Sequence, residues 1–531
     1  MIKYDNLGVM IDCSRNGVMK PIVVKKFIDY LALMGYNTLE LYTEDTFKIS
    51  DEKYFGYLRG GYSANEIKEI DAYAKSKGIE LIPCVQGLAH FDNLVKLPMY
   101  KDIVDIDNIL LVDEPKTYEL IDKIFNFLAE NFTSRKANIG MDEAHLIGLG
   151  KFLDKHGYQK RFDILLRHLN KVNDIALKYG FKVGIWSDMF FRLLNNGEYY
   201  GSNTDISQEI IDKIPDNVEL IYWDYYHLES EVYDKMLLAH KDTGKKVWFA
   251  GGAWSWCGFA PFNQRSLNRC IPAIENAIKH GIKNVLITIW GDDGKECSAF
   301  SLLPTLYACR QFADGNFDME SIKVGFKDLF GLNFDEFMYL DKVNCSKNDL
   351  ELASMENPCK SLLYNDCFLG TLDKDLEDQG ELPFAEWADK IKTAGKNMGE
   401  FEYLFTTLSS LADLLEIKYD LGIRTRKAYQ KGDTCQLKEI VERYTETEQR
   451  LNIFYKNFKD LWFKENKPHG WEVQDIRLGG LARRLSYCKE TLISYINGKI
   501  ENIPELEEEI YNYTNNLFRA KWQDIVTTNK I

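Results

Sequence analysis

"RCIPAIENAIKHGIKNVLITIWGD", residues 269–292, carries the reading that decides the fold. Its first half spaces apolar residues as on one face of a helix, and Gly281 stands where a left-handed C-cap ends such a helix. The run "NVLITIWGD" (284–292) is apolar on both faces, as in a parallel strand covered by helices on each side. It closes on an aromatic and an acid, Trp290 and Asp292. The same unit recurs upstream. Strand candidates are "GVMIDC" (8–13), "TLELYT" (38–43), "ELIPCV" (80–85), "ANIGMD" (137–142), "KVGIWSD" (182–188), "VELIYWD" (218–224) and "KVWFAGG" (246–252). Gly35, Gly78, Gly180 and Gly244 repeat the helix-ending position of Gly281. Eight strands alternating with helices predict an α/β fold, a (β/α)8 TIM barrel. A doubly wound open sheet is the competing arrangement, but no glycine-rich dinucleotide fingerprint follows any strand.

After residue 312 the strand pattern stops, and Leu, Lys, Glu and Tyr recur at helical spacing. The expected division is a catalytic barrel over 1–312 and a mainly α-helical C-terminal domain over 313–531. The chain has 531 residues, 45% of them hydrophobic and 13% aromatic, enough for more than one core. Its 66 basic and 81 acidic residues give a net charge of −15, which argues against nucleic acid or an anionic membrane surface as partner. No run of about 18 apolar residues suggests a membrane span, and the N-terminus reads as a strand rather than a signal peptide. Eleven scattered cysteines without a CxxC pair point to buried thiols, so the expected setting is cytoplasmic. The pattern implies neither a metal nor a cofactor and leaves the oligomeric state open.

In a barrel of this kind the site forms at the C-terminal ends of the strands. There the sequence sets Asp12 and Arg15, Glu44 and Asp45, His90, and the pair Asp142–Glu143. It adds Trp186 with Asp188, Tyr222 with Asp224, Trp290 with Asp292, and the loop residues Trp254 and Trp256. Two residues apart on a strand, each aromatic and its acid share a face. An Asp at a strand end is often only the N-cap of the next helix, but capping does not account for the whole gathering. Flat aromatic walls with acids and an Arg at the rim suit a sugar. Adjacent carboxyls push one pKa up and leave the other down. They are badly placed to flank a glycosidic bond from opposite sides. A division of labour fits them better: Glu143 donates the proton, and Asp142 holds a nucleophile belonging to the substrate.

With "IGMDEA" at 139–144, the barrel from about residue 5 to 312 resembles glycoside hydrolase family 20, the β-N-acetylhexosaminidases. The branch implied has a helical C-terminal domain and no small α/β domain ahead of the barrel. The resemblance implies an exo-acting retaining hydrolase that releases terminal β-linked GlcNAc or GalNAc through an oxazolinium ion made by the substrate's own acetamido group. It also implies a small carbohydrate with a terminal N-acetylhexosamine as the partner. Carried over by position, Glu143 is the general acid/base, Asp142 orients the acetamido N–H, and Tyr222 bonds the acetamido oxygen. Arg15 binds O3 and O4, and His90 stands near the acid. Asp224 accompanies Tyr222, while Trp186, Trp254 and Trp290 form the walls. Asp292 takes the place of a Glu that binds O4 or O6. "GLAH" at 87–90 and "EDTF" at 44–47 depart from the family's usual residues. Other readings of the same residues are a metal-dependent barrel hydrolase or isomerase using His90, Glu143, Asp188 and Asp292, and a non-catalytic sugar-binding protein.

Overall fold

A computed structural model of the chain describes residues 2–345, 357–377, 381–512 and 521–531. Eight parallel strands close a barrel: β1 (Asn6–Asp12), β2 (Thr38–Tyr42), β3 (Glu80–Cys84), β4 (Lys136–Asn138), β5 (Lys182–Trp186), β6 (Glu219–Trp223), β7 (Val247–Gly252) and β8 (Asn284–Ile289). Each pairs with its sequence neighbour, and β8 returns to β1 with Asn6 beside Asn284 and Ile11 beside Ile289. Every residue of β1, β2, β7 and β8 is buried, as strands covered on both faces must be. Gly35, Gly78, Gly180, Gly244 and Gly281 all have left-handed φ, between 69° and 87°, the conformation that Gly adopts without a Cβ clash. The open sheet is thereby set aside.

Helices such as Pro21–Met34, Arg161–Lys178 and Asn263–Lys279 cover the barrel. Leu303–Ala313 completes the ring. Between β5 and β6 two short helices, Asp188–Leu194 and Gln208–Ile211, replace a full-length one.

Seven strands end earlier than the sequence suggests, β1, β2 and β3 by a single residue each; in the other four the acid-bearing ends leave the sheet. β4 stops at Asn138, whose side-chain oxygen accepts the Gly140 N–H at 3.1 Å, and the chain turns left-handed at Gly140 and Met141. β5 stops at Trp186 because Asp188 opens a helix. β6 stops at Trp223 because the Asp224 carboxylate caps the next turn, accepting the N–H groups of Tyr226 and His227. β8 stops at Ile289, and the Gly291 N–H is drawn to Asp12 Oδ2 at 2.9 Å. The aromatic–acid pairs therefore do not lie on one strand face.

Beyond the barrel the described residues are helical, including Glu402–Lys418, Thr434–Glu465 and Trp471–Ile496. The "KPHGWEV" stretch at 467–473 lies against the loop after β1. Lys467 N–H donates to Val18 O at 2.8 Å, and Gly470 packs so close to Asn16 that a Cβ would sit 2.5 Å from its carbonyl oxygen. From the barrel side, Phe259 enters edge-on between Phe454 and Phe458, 5.3 Å from each ring centroid. Burial of such a ring contributes about 1.5–3 kcal/mol.

Candidate active site

One cavity, with about 460 Å³ of empty space counting its open mouth, lies among the strand ends, where a barrel of this kind keeps its site. Eight residues that the sequence set at the strand ends line it: Arg15, His90, Asp142, Glu143, Trp186, Trp256, Trp290 and Asp292. Trp223, Tyr225 and Tyr226 complete its walls.

The acid pair depends on the distorted chain after β4. Gly140 has φ 67°, and a Cβ there would stand 2.0 Å from the Gln86 side-chain oxygen. Only Gly satisfies both conditions. The freed space lets Gln86 Oε1 accept the Met141 N–H at 3.1 Å while its Nε2 donates to Asp142 Oδ1 at 2.9 Å. Glu143, itself at φ 52°, is fixed from behind: its N–H donates to Asp188 Oδ2 at 3.1 Å. Arg192 then bridges the two acids, 2.8 Å from Asp188 and 3.4 Å from Glu143 Oε1.

His90 sits between the pair, its Nε2 3.2 Å from Asp142 Oδ2 and 3.8 Å from Glu143 Oε2. Burial raises the Asp142 pKa, but the His90 charge and hydrogen bonds from His90 and Gln86 win, and the carboxyl is held below its ordinary value. Asp142 is thus the anion. Burial pushes Asp188 up to about 7, with Asp142 adding and Arg192 opposing. Burial alone would lower His90, yet Asp142 raises it from 6.5 to about 9. A group whose folded pKa exceeds its unfolded one stabilises the fold below the unfolded value and loses that contribution as pH climbs through the folded one. Melting temperature is therefore expected to fall between pH 6.5 and about 9, and less steeply in His90→Asn. Thermal melts across that window check this; equal slopes in the two proteins would contradict it.

At the opposite rim Arg15 reaches three acids: Asp12 at 3.2 Å, Glu44 at 3.3 Å and Asp292 at 3.9 Å. Its guanidinium also stands 5.0 Å from the Tyr42 ring centroid and 5.4 Å from that of Trp290. Burial lifts Asp292 to about 6 and Glu44 to about 7, Arg15 opposing in both. The aromatic walls lock together, with Trp290 edge-on to Tyr42 at 4.9 Å and Trp223 stacked on Tyr225 at 5.3 Å.

Three expected site residues lie elsewhere. Tyr222 points to the helix layer, its ring 5.0 Å from His240 and its hydroxyl donating to Asp224 Oδ2 at 2.9 Å. Asp224 is spent on that bond, on the turn, and on His227 Nδ1 at 2.8 Å. Trp254 stands behind the wall, stacked 4.0 Å from Trp256, with Arg265 over its ring. Strand parity explains the first of these corrections. Glu219 and Ile221 line the barrel's interior floor, so Trp223 shares their face and Tyr222 takes the other. Tyrosines do reach the cavity from the chain just beyond β6: Tyr225, a buried residue two steps past the strand end at Trp223, and its neighbour Tyr226. A charged residue opening an otherwise apolar strand, Glu219, was the available signal, since it cannot point into the apolar helix interface. Among the described residues no group of three or more His, Cys, Asp or Glu side chains is placed to hold a metal ion. The alternative donor set is therefore not gathered as one, and its Asp188 serves the Glu143 backbone and Arg192 instead.

An acid pair at the C-terminal mouth of a (β/α)8 barrel stands where such a fold keeps its chemistry, and the indole walls around it suit a sugar. Residues 4–225 match the family model of the glycosyl hydrolase family 20 catalytic domain, and residues 335–521 match that of the glycoside hydrolase 20C C-terminal domain. The chain belongs to glycoside hydrolase family 20 and is a glycosidase. Among curated relatives, hexosaminidase D of Bos taurus is 23% identical over 341 residues, covering 57% of this chain and 91% of that one. Hexosaminidase D of Homo sapiens is 22% identical over 328 residues, covering 56% and 64%. Among solved structures, a family 20 exo-β-N-acetylglucosaminidase from Vibrio harveyi in complex with N-acetylglucosamine aligns at TM-score 0.47 and 16% identity, covering 62% of this chain and 59% of that one. No described helix is long and apolar enough to cross a membrane.

Proposed function

We propose that this glycosidase is an exo-acting β-N-acetylhexosaminidase that removes terminal non-reducing β-linked GlcNAc or GalNAc by substrate-assisted, retaining hydrolysis. The observation that carries the reading is the anionic Asp142, held by His90 and Gln86 directly beside Glu143. A carboxylate so placed is suited to orient an acetamido group rather than to attack from the far side of the bond. In the first step the acetamido oxygen bonds to the anomeric carbon while the glycosidic C–O bond breaks, and Glu143 delivers its proton to the departing oxygen. Asp142 accepts the acetamido N–H and balances the oxazolinium charge. In the second step Glu143 takes a proton from water, whose oxygen attacks the anomeric carbon and reopens the ring. Arg15 and Asp292 bind hydroxyls at the closed end, and the indoles of Trp186, Trp256 and Trp290 stack on the sugar's apolar faces.

The hydroxyl for the acetamido oxygen belongs, on this reading, to Tyr225 instead of Tyr222. Tyr225→Phe is expected to lower kcat/KM about 10- to 100-fold, the worth of a hydrogen bond to a group bearing charge. Tyr222→Phe should stay within a few-fold of wild type and act mainly on stability. Steady-state kinetics of both variants decide the assignment, and the reverse ranking would return the role to Tyr222.

The catalytic unit on this reading is the barrel over 1–312, with the helical part over 313–531 packed on it. A reducing, cytoplasmic setting agrees with eleven cysteines that are all free thiols, ten of them buried. The reading is tested by release of p-nitrophenol from the β-glycosides of N-acetylglucosamine, N-acetylgalactosamine and glucose side by side. Turnover confined to the acetamido sugars is expected. Comparable cleavage of the glucoside would require a nucleophile from the protein and would sink the substrate-assisted route.

A further inference from the structure

The loop after β8 carries two walls of the cavity, Trp290 and Asp292, on a backbone that is not at ease. Asp293 and Lys295 have φ 57° and 56°, with Gly294 at 144° between them. Left-handed conformations at non-glycine residues persist where the surroundings over-determine them. Here the surroundings come from the helical region. Lys360 Nζ donates to Asp293 Oδ2 at 2.9 Å, to Asp293 O at 3.1 Å and to Glu296 Oε2 at 2.9 Å. Arg477 spans the same two acids, with Nη2 3.0 Å from Asp293 Oδ1 and Nη1 2.9 Å from Glu296 Oε1. Gln474 Nε2 donates to Gly294 O at 3.3 Å.

The side chains of Lys360 and Glu296 are fully buried, those of Arg477 and Asp293 nearly so. Two cations and two anions cancel, so the quartet is tolerated in the interior only while complete. The clamp also reaches the neighbouring wall. Cys257 N–H donates to Asp292 O at 3.1 Å, Ser255 Oγ to Trp290 O at 2.8 Å, and Asn357 Nδ2 to Ala260 O at 2.9 Å.

We propose that the C-terminal helical region is a working part of the sugar site: Lys360 and Arg477 are positioning residues that hold the 290–296 loop so that Asp292 and Trp290 face Arg15. The inference rests on the hexosaminidase reading and adds to it a source of selectivity outside the barrel. Neither residue touches the cavity, so their effect passes through Asp292. Loss of one arm should loosen the sugar's closed-end contacts, which act alike on ground and transition states, and leave the proton donor in place.

The test is a double-mutant cycle between Arg477→Met and Asp292→Asn, read as kcat and KM on p-nitrophenyl N-acetyl-β-glucosaminide. Arg477→Met alone is expected to raise KM about tenfold with kcat little changed, and to add almost nothing in the Asp292→Asn background. Independent, multiplying effects would overturn the proposal, as would a loss confined to kcat. Should Arg477→Met not fold, Arg477→Lys keeps the charge but cannot span both acids, and the same cycle is read with a smaller rise in KM. A wild-type protein inactive on every acetamido glycoside would fail the hexosaminidase reading itself, whereas an active one with independent factors would fail the clamp alone.

Discussion

Glu143→Gln is expected to lower kcat/KM by about 10³- to 10⁴-fold on alkyl or sugar aglycones, the upper range for loss of a general acid. On a p-nitrophenyl glycoside the loss should be far smaller, because p-nitrophenolate departs without a proton. The glutamine keeps the size of the side chain beside His90 and Arg192 and the backbone N–H held by Asp188, so a large loss reports the missing proton rather than a collapsed site. Kinetics on a series of aryl glycosides of graded leaving ability measures this directly. A loss equal across the series would mean that Glu143 is not the donor.

Asp142→Asn should behave differently. Removing the charge that faces the developing oxazolinium is expected to reduce kcat by about 10²- to 10³-fold, whatever the leaving group. The variant also strips His90 of the partner that lifts its pKa to about 9, so the imidazole should titrate lower. An NMR titration of His90 beside the kinetics separates these effects. A leaving-group dependence like that of Glu143→Gln would assign the two acids a shared role and remove the division of labour between them.

The barrel was legible because its signals are local. Each helix-ending glycine, each doubly buried strand and the acid pair of "MDEA" is contained in a dozen residues or fewer. Arg15, His90 and Asp292 were legible for the same reason, since they stand a few residues past the strand ends where any such barrel keeps its chemistry. What failed was parity. Treating "YWD" as one inward-facing motif put Tyr222 and Asp224 in the cavity, whereas one residue's shift along β6 gives the inner face to Trp223 and brings Tyr225 to the wall. Trp254 failed similarly, because in a loop its distance from Trp256 says nothing about which indole stands in front. Gln86 was not singled out because its task exists only once Gly140 has turned left-handed beneath it. The clamp could not be read at all: Lys360 and Arg477 lie 67 and 184 residues from Asp293, and in sequence each resembles an ordinary charged residue on a helix.

The central claim is that the substrate supplies the nucleophile, and the most direct measurement replaces hydrogens of the acetamido methyl with fluorine one at a time. Fluorine withdraws electrons from the acetamido oxygen and leaves the aglycone, and hence the work of Glu143, unchanged. The account predicts that kcat/KM of the wild-type protein falls steeply and monotonically from acetamido to trifluoroacetamido p-nitrophenyl glycosides. A flat series would contradict it and would place the nucleophile on the protein.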